Sequence, residues 1–245
     1  MIRVGHAVRA LREDGEDADY VTELAHGLAY WAARWQPVPG TPAAVPSPGA
    51  ARAAAADPAE TGPTAADALA AVPRIADQSG GIRDRLGRLA DLPGWPAALA
   101  APRIPASAEG LGSWLASLVD AAAARYLWYG HGNGVMLVHS ATAPNAILRT
   151  LPDLDRQLWA PSVAASWAAA AALTAVYAPA VPARRADLPD PPAGPQATEE
   201  VFARAVEHGD EHVIKFADTA ADVYARTGRP DALAAAVRAT ALIDR

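Results

Sequence analysis

Apolar residues recur every three or four positions along most of this chain, which is the period of a helix with one buried face. The clearest example is the stretch 107–129, where Leu111, Leu115 and Leu118 fall on the same side. No stretch of comparable length shows the strict apolar–polar alternation of a half-buried strand. The pattern therefore predicts an all-α fold, with the helices gathered into a single bundle-like domain over residues 1–245.

Capping residues and helix breakers set the predicted helix boundaries. Thr198 and Asp210 are predicted N-caps, and Gly209 is expected to break the C-terminal helical region. Pro144 is expected to kink or interrupt the helix that contains it. The predicted helices cover residues 2–13, 18–36, 75–90, 107–129, 135–151, 155–177, 198–227 with the break at 209–210, and 231–243.

Proline-rich stretches separate these helices. Residues 37–73 are rich in proline and alanine and are predicted to form a flexible insertion, with a short helix at 64–71. Residues 92–105 and 179–195 are predicted to be irregular connections, because their prolines remove backbone donors and restrict the preceding residues.

Composition narrows the class of protein and its partners. The net charge is −6 and no basic stripe is present, which argues against nucleic acid and anionic membrane surfaces as partners. The absence of cysteine excludes disulfides and thiolate metal sites, and a cytoplasmic location is expected. The N-terminus lacks the apolar core of a secretory signal, and the most apolar run, 162–177, is too short to predict a membrane span.

A lone lysine marks the best candidate site. Lys215 is the single lysine of the chain, every other cation of this type being arginine. A lysine amine can lose its proton when it is buried, and a neutral amine can act as a nucleophile or take up CO2 as a carbamate, an oxygen ligand for a metal. His208 and His212 lie seven and three residues upstream, on the same helical face. His212 and Lys215 are predicted to be functional, whereas His208, before the break, is predicted to be solvated.

Four further histidines stand alone in the sequence. His139 lies in an apolar stretch and His6 lies beside Gly5, so each is either a hydrogen-bonded core residue or a ligand. His26 is predicted to be structural. His131 lies in a Gly-His-Gly-Asn-Gly loop that lacks the spacing of a nucleotide-binding loop. Three imidazoles from three helices plus one anionic oxygen would suit a borderline transition metal such as iron.

Three motifs, the first made of two neighbouring stretches, resemble in order those of one known family. Residues 5–11 (GHAVRAL) and 23–31 (ELAHGLAYW) resemble its F-H-G-x-I-R helix and the A-Y-W helix that follows. Residues 132–142 (GNGVMLVHSAT) resemble its G-N-x-x-L-L-H-x-V-T segment, and residues 210–215 (DEHVIK) resemble its D-x-H-V-I-K segment. The family is that of the questin oxidase-like proteins.

The resemblance implies a largely helical oxygenase that uses O2 to open or oxidise a ring of a polycyclic aromatic polyketide. It implies that His6, His139, His212 and Lys215, the last as a carbamate, are the catalytic residues and hold Fe(II). The family pattern also has a histidine in an N-H-x-P-M-like segment ahead of the first motif. The printed sequence begins at Met1, just before His6, and we expect a relative that lacks this segment.

Two other functions stay open from the residues. The first is a metal-free, NADPH-assisted Baeyer–Villiger-type oxidase in which the histidines perform acid–base chemistry. The second is a truncated, non-catalytic helical protein that binds a partner or a hydrophobic ligand.

Overall fold

The computed structural model describes residues 1–15, 17–41, 63–105 and 107–245, and within these ranges the regular structure is entirely helical. The predicted all-α class is therefore confirmed. The α-helices are α1 (Ile2–Asp14), α2 (Ala18–Arg34), α3 (Ala65–Ala71), α4 (Ile82–Gly87), α5 (Trp95–Ala100), α6 (Ala108–Tyr129), α7 (Gly134–Leu137), α8 (His139–Thr150), α9 (Trp159–Tyr177), α10 (Ala197–His208), α11 (Glu211–Thr227) and α12 (Asp231–Leu242).

Side-chain capping explains why several helices begin where the sequence predicts. The hydroxyl oxygen of Ser107 accepts a hydrogen bond from the backbone N–H of Gly110 at the start of α6. Thr64 and Asp67 form a reciprocal capping box at the start of α3, which confirms the short helix predicted there. Gly209 adopts φ +83°, a left-handed conformation that ends α10 and lets Asp210 cap α11.

Three predictions of local structure are wrong. Residues 75–81 are not helical, because Gly80 takes a positive φ and α4 starts only at Ile82. Thr198 is not an N-cap, since α10 begins one residue earlier, at Ala197. The proline-rich stretch 92–105 contains the short helix α5, whose second residue is a proline that needs no intrahelical donor there.

The predicted helix over 135–151 is divided at a different residue from the one expected. Pro144 lies inside α8, and the helix continues through it to Thr150. The interruption falls instead at Val138, between α7 and α8. His139 is consequently the first residue of a helix, close to the break.

Helix α8 lies at the centre of the bundle and contacts α1, α6, α9 and α11. Much of the core around it is alanine, which permits close approach of the helix backbones. The largest fully buried side chains supply the remaining volume, and they include Trp95, Trp167, Phe216, Leu115, Leu118 and Leu233.

Glycines of two sequence motifs serve helix packing. A Cβ atom added at Gly5 of α1 would lie 2.7 Å from Cα of Ala146, so α1 can pack against α8 only with a glycine there. A Cβ at Gly134 would lie 2.7 Å from the carbonyl oxygen of Leu242. The glycines around His131 thus accommodate neighbouring backbone, which agrees with the absence of a nucleotide-loop spacing.

The proline-rich stretches differ in structure. Residues 42–62 of the predicted insertion lie outside the described residues. On one side of them the carbonyl of Pro39 accepts a hydrogen bond from Trp95 Nε1 at 2.8 Å, and on the other side α3 buries Ala65, Ala68 and Leu69. Residues 178–196 are irregular apart from a short 3-10 turn at Arg185–Asp187, as predicted for that connection.

The segment Arg156–Tyr177, which includes α9, is long and apolar enough to cross a membrane by length and composition. In this structure 61% of its most apolar window is buried inside the protein. A helix in the core of a bundle can be equally long and apolar, so the position of this segment in the bundle accounts for its apolar composition.

Candidate functional site

The N-cap of helix α11 fixes where the helix begins, and therefore which of its faces carries His212 and Lys215. Oδ1 of Asp210 accepts hydrogen bonds from the backbone N–H groups of His212 at 2.7 Å and Val213 at 3.3 Å. Val213 and Phe216 are buried and hold this end of the helix against the core. His212 and Lys215, on the bordering face, are half-buried.

His139 meets Lys215 from the facing helix. Nζ of Lys215 lies 3.0 Å from Nε2 of His139. On the other side of the ring, Nδ1 of His139 lies 2.8 Å from the carbonyl oxygen of Val135. A carbonyl oxygen only accepts, so Nδ1 carries the proton and Nε2 directs its lone pair at the lysine.

His212 completes a group of three. Its ring packs edge-on against that of His139, with the centroids 5.3 Å apart. Nδ1 of His212 lies 3.2 Å from Oδ1 of Asp210, and an ionised carboxylate accepts only. His212 therefore also keeps its proton on Nδ1 and a lone pair on Nε2. Both histidines have the tautomer of a metal ligand whose second nitrogen is fixed by a carbonyl or a carboxylate.

The electrostatics of this group favour neutral ligands. The pKa of His139 is lowered to about 4, mainly by burial and in addition by the nearby charges of Lys215 and His212. Burial also lowers the pKa of Lys215, although Glu211 and Asp210 oppose the change. A neutral imidazole is a metal ligand or a base, and an amine with a lowered pKa reacts more readily with CO2.

Acidic side chains adjoin the group. Ligand atoms of Asp210, Glu211 and His212 lie within 4.8 Å of one another, a spacing compatible with a metal ion. The carboxylate of Asp210 already accepts a backbone hydrogen bond at the start of α11, and 79% of the Glu211 side chain is exposed. The donors that fit a borderline metal best are therefore the two imidazoles and the lysine, with Glu211 at the rim.

The structure places His6 in a different set of contacts. Nη1 of Arg149 approaches Nδ1 of His6 at 3.4 Å, and Oδ2 of Asp218 lies 3.5 Å from the same nitrogen. Burial is the main cause that lowers the pKa of His6. Within the described ranges, the ligand atoms of His6, His139 and His212 do not form a set within 4.8 Å of one another. The expected four-ligand arrangement is thus not assembled in this structure.

A half-buried network of arginine and aspartate side chains surrounds His6. The sequence motifs did not predict it. Nη1 of Arg149 donates to Asp218 at 2.7 Å, Nε of Arg149 donates to Asp222 at 3.0 Å, and Arg9 donates to Asp218 at 2.6 Å. Burial alone would raise the pKa of Asp218, but the hydrogen bonds and charges of Arg149 and Arg9 outweigh it and lower that pKa. The spacing of Lys215, Asp218 and Asp222 on one helical face was the available signal.

The remaining histidines depart in part from expectation. His208 is half-buried rather than solvated, and its Nε2 lies 2.9 Å from the carbonyl oxygen of Ile243. His26 is exposed on α2 rather than packed as a structural residue, contrary to the prediction. His131 is exposed in the loop after α6.

No protein-family model, curated protein or solved structure matches this chain.

Proposed function

We propose that this protein is an oxygenase of the questin oxidase-like type, which uses O2 to oxidise or open a ring of a polycyclic aromatic substrate at a non-haem Fe(II) site. The observation that carries the proposal is the 3.0 Å approach of Lys215 Nζ to His139 Nε2, beside the ring of His212. The three residues come from motifs that resemble the family, and they converge from two helices.

His139, His212 and Lys215 would hold the metal. The carbonyl of Val135 and the carboxylate of Asp210 hold the Nδ1 side of the two imidazoles, so that each Nε2 would be the atom bonded to the metal, in His139 in place of its contact with Lys215 Nζ. The lysine joins as an oxygen donor after carbamylation: its neutral amine forms a bond to the carbon of CO2 and releases one proton, leaving an anionic carbamate. When bound, Fe(II) would supply the binding and activation of O2.

His6 stands outside this proposed ligand set. Its Nδ1 is engaged by Arg149 and Asp218, which also fix α1 against α8 and α11. The proposal therefore departs from the family pattern by relying on two histidines and the lysine, with Glu211 as the neighbouring carboxylate. This smaller set leaves coordination positions for O2 and substrate.

A second candidate is the metal-free oxidase that uses NADPH. The hydrogen-bonded pair of Lys215 and His139, with both pKa values lowered, is also suited to general acid–base chemistry. In that case His139 would take a proton from the substrate, and Lys215 would hold the imidazole of His139 in place, with no need for a metal.

Metal content decides between these candidates. Protein purified without a histidine tag and reconstituted anaerobically with Fe(II) is expected to bind about one iron per chain. His139→Ala and Lys215→Arg are expected to reduce iron affinity at least about tenfold, because each removes a donor. His26→Ala, which removes an exposed imidazole, is the matched control and should bind iron like the parent.

Oxygen consumption with a panel of anthraquinone-type substrates completes the test. Iron-dependent consumption that is lost in Lys215→Arg supports the proposal. Substrate turnover that needs NADPH and survives a chelator would replace it by the metal-free candidate. Absence of iron binding and of turnover in the parent would leave the non-catalytic function.

A further inference from the structure

A second cluster of charged side chains lies around Tyr129, away from the histidines. The guanidinium carbon of Arg125 lies 4.5 Å from the centroid of the Tyr129 ring, and that of Arg74 lies 5.6 Å from the same centroid. Both arginines are half-buried. Two cations therefore share one aromatic ring.

Neither arginine has an anionic partner among the residues that the structure describes. Arg125 Nη2 and Arg74 Nε are fully inaccessible to solvent and make no hydrogen bond. Arg149, by contrast, is 11% exposed and is neutralised by Asp218 and Asp222. A tyrosine ring attracts a cation but does not replace the hydrogen-bond acceptors that a buried guanidinium requires.

The backbone that carries the two arginines is packed against the core. Arg125 lies within α6, between the buried residues Ala123 and Tyr126. Arg74 lies between the buried residues Val72 and Ile75, and the backbone N–H of Ile75 donates to the carbonyl of Ala175 on α9. Packed backbone on both sides thus brings the two guanidinium groups to the same tyrosine ring.

We propose that Arg74 and Arg125 form a binding site for a doubly charged oxyanion of the phosphate type, beside Tyr129. An oxyanion would accept hydrogen bonds from the two half-buried guanidinium groups and neutralise both cations, as planar guanidinium forks do with phosphate. Burial lowers the pKa of Arg125, and the charge of Arg74 lowers it too, against an opposing effect of Tyr129. A bound dianion would remove that repulsion. The site does not depend on the proposed oxygenase function.

Phosphate binding by metal-free protein tests the site. Inorganic phosphate is titrated by calorimetry and thermal melting, against potassium chloride at equal ionic strength and against acetate as a singly charged oxyanion. The parent is expected to bind phosphate and to melt at a higher temperature with it, because a ligand that binds only the folded state stabilises that state. Phenyl phosphate distinguishes a free ion from an organic phosphate as the preferred source.

Two substitutions and a matched control separate this site from adventitious binding. Arg74→Gln and Arg125→Gln are each expected to weaken phosphate binding at least about tenfold, since each removes a charge-assisted fork. Arg83→Gln, at an exposed arginine of α4, removes the same charge and should bind phosphate like the parent. Without phosphate, neither site variant should melt below the parent, because the substitution relieves repulsion.

Three results would overturn the proposal. The first is a parent that responds to phosphate no more than to chloride. The second is an equal phosphate response in the parent and the Arg74→Gln and Arg125→Gln variants. The third is a lower melting temperature of both variants without phosphate, which would make the arginines structural.

Discussion

At the scale of single residues, the chemistry of the candidate site depends on which ring nitrogen of each histidine carries the proton. The carbonyl of Val135 and the carboxylate of Asp210 fix Nδ1–H in His139 and His212. Both rings consequently present Nε2 as a lone-pair donor. A histidine without such a second partner would interconvert between tautomers and would be a weaker ligand.

The low pKa of His139 predicts a pH dependence of stability. Its pKa is about 4 in the folded protein, below the ordinary value of 6.5, so the unfolded chain binds the proton more readily. The contribution of His139 to stability is complete above pH 6.5 and is lost progressively as the pH falls toward about 4. Urea unfolding of chelator-treated protein, measured at about pH 7.5 and about pH 5, should show a smaller loss of stability in His139→Gln than in the parent.

His26→Gln is the control for this measurement, because His26 is exposed on α2. It should keep the pH dependence of the parent. An equal loss of stability in the parent and in His139→Gln would contradict the assignment of the pH effect to the buried ring.

At the scale of elements, close helix packing is set by small residues. Helix α1 lies against α8 at Gly5, where no Cβ is present to hold the backbones apart. Next to this contact, Arg9 reaches Asp218 of α11. The glycine thus places α1 close enough for its polar side chains to reach the charge network.

Two glycine-to-alanine substitutions in helices should have opposite effects. Gly5→Ala is expected to lower the free energy of unfolding by about 1–3 kcal/mol, because the added methyl overlaps Ala146 at 2.7 Å. In Gly112→Ala of α6 the added methyl meets no atom within 4 Å. This variant should raise the free energy of unfolding by up to about 1 kcal/mol, because alanine has the higher helix propensity. Chemical denaturation of both variants measures the difference. A neutral or stabilising Gly5→Ala would contradict the packing argument.

At the scale of the whole molecule, helix α2 is the least integrated of the long helices described. Gly27 is the buried residue of this helix, and the helix packs mainly against α1. Tyr30 and Trp31 are exposed along it, whereas α6 buries eight side chains in the continuous core. Local stability should therefore be uneven across the fold.

Hydrogen exchange followed by mass spectrometry should resolve this difference. Peptides from α2 are expected to exchange at least about tenfold faster than peptides from α6, because few buried contacts oppose the opening of α2. Peptides from α9, which is also deeply buried, are the internal control for slow exchange. Equal protection of α2 and α6 would show that α2 opens only with global unfolding.

The sequence by itself determined the helical class and those helix ends that depend on neighbouring residues. Ser107 and Asp210 are caps because their side chains reach backbone donors two or three residues ahead, and Gly209 ends α10 through its own φ angle. The shared face of His212 and Lys215 likewise follows from helical spacing. These features are local, so composition and spacing are sufficient to predict them. Helix α5 escaped prediction because its six residues lie among prolines and their buried face forms only against the rest of the fold.

Only the tertiary structure decided which distant residues meet. It brought His139 to Lys215, placed His6 beside Arg149 and Asp218, and set Arg74 and Arg125 around one tyrosine. The physical reason is that contacts between helices depend on how the helices pack, through the volumes of side chains far apart in the chain.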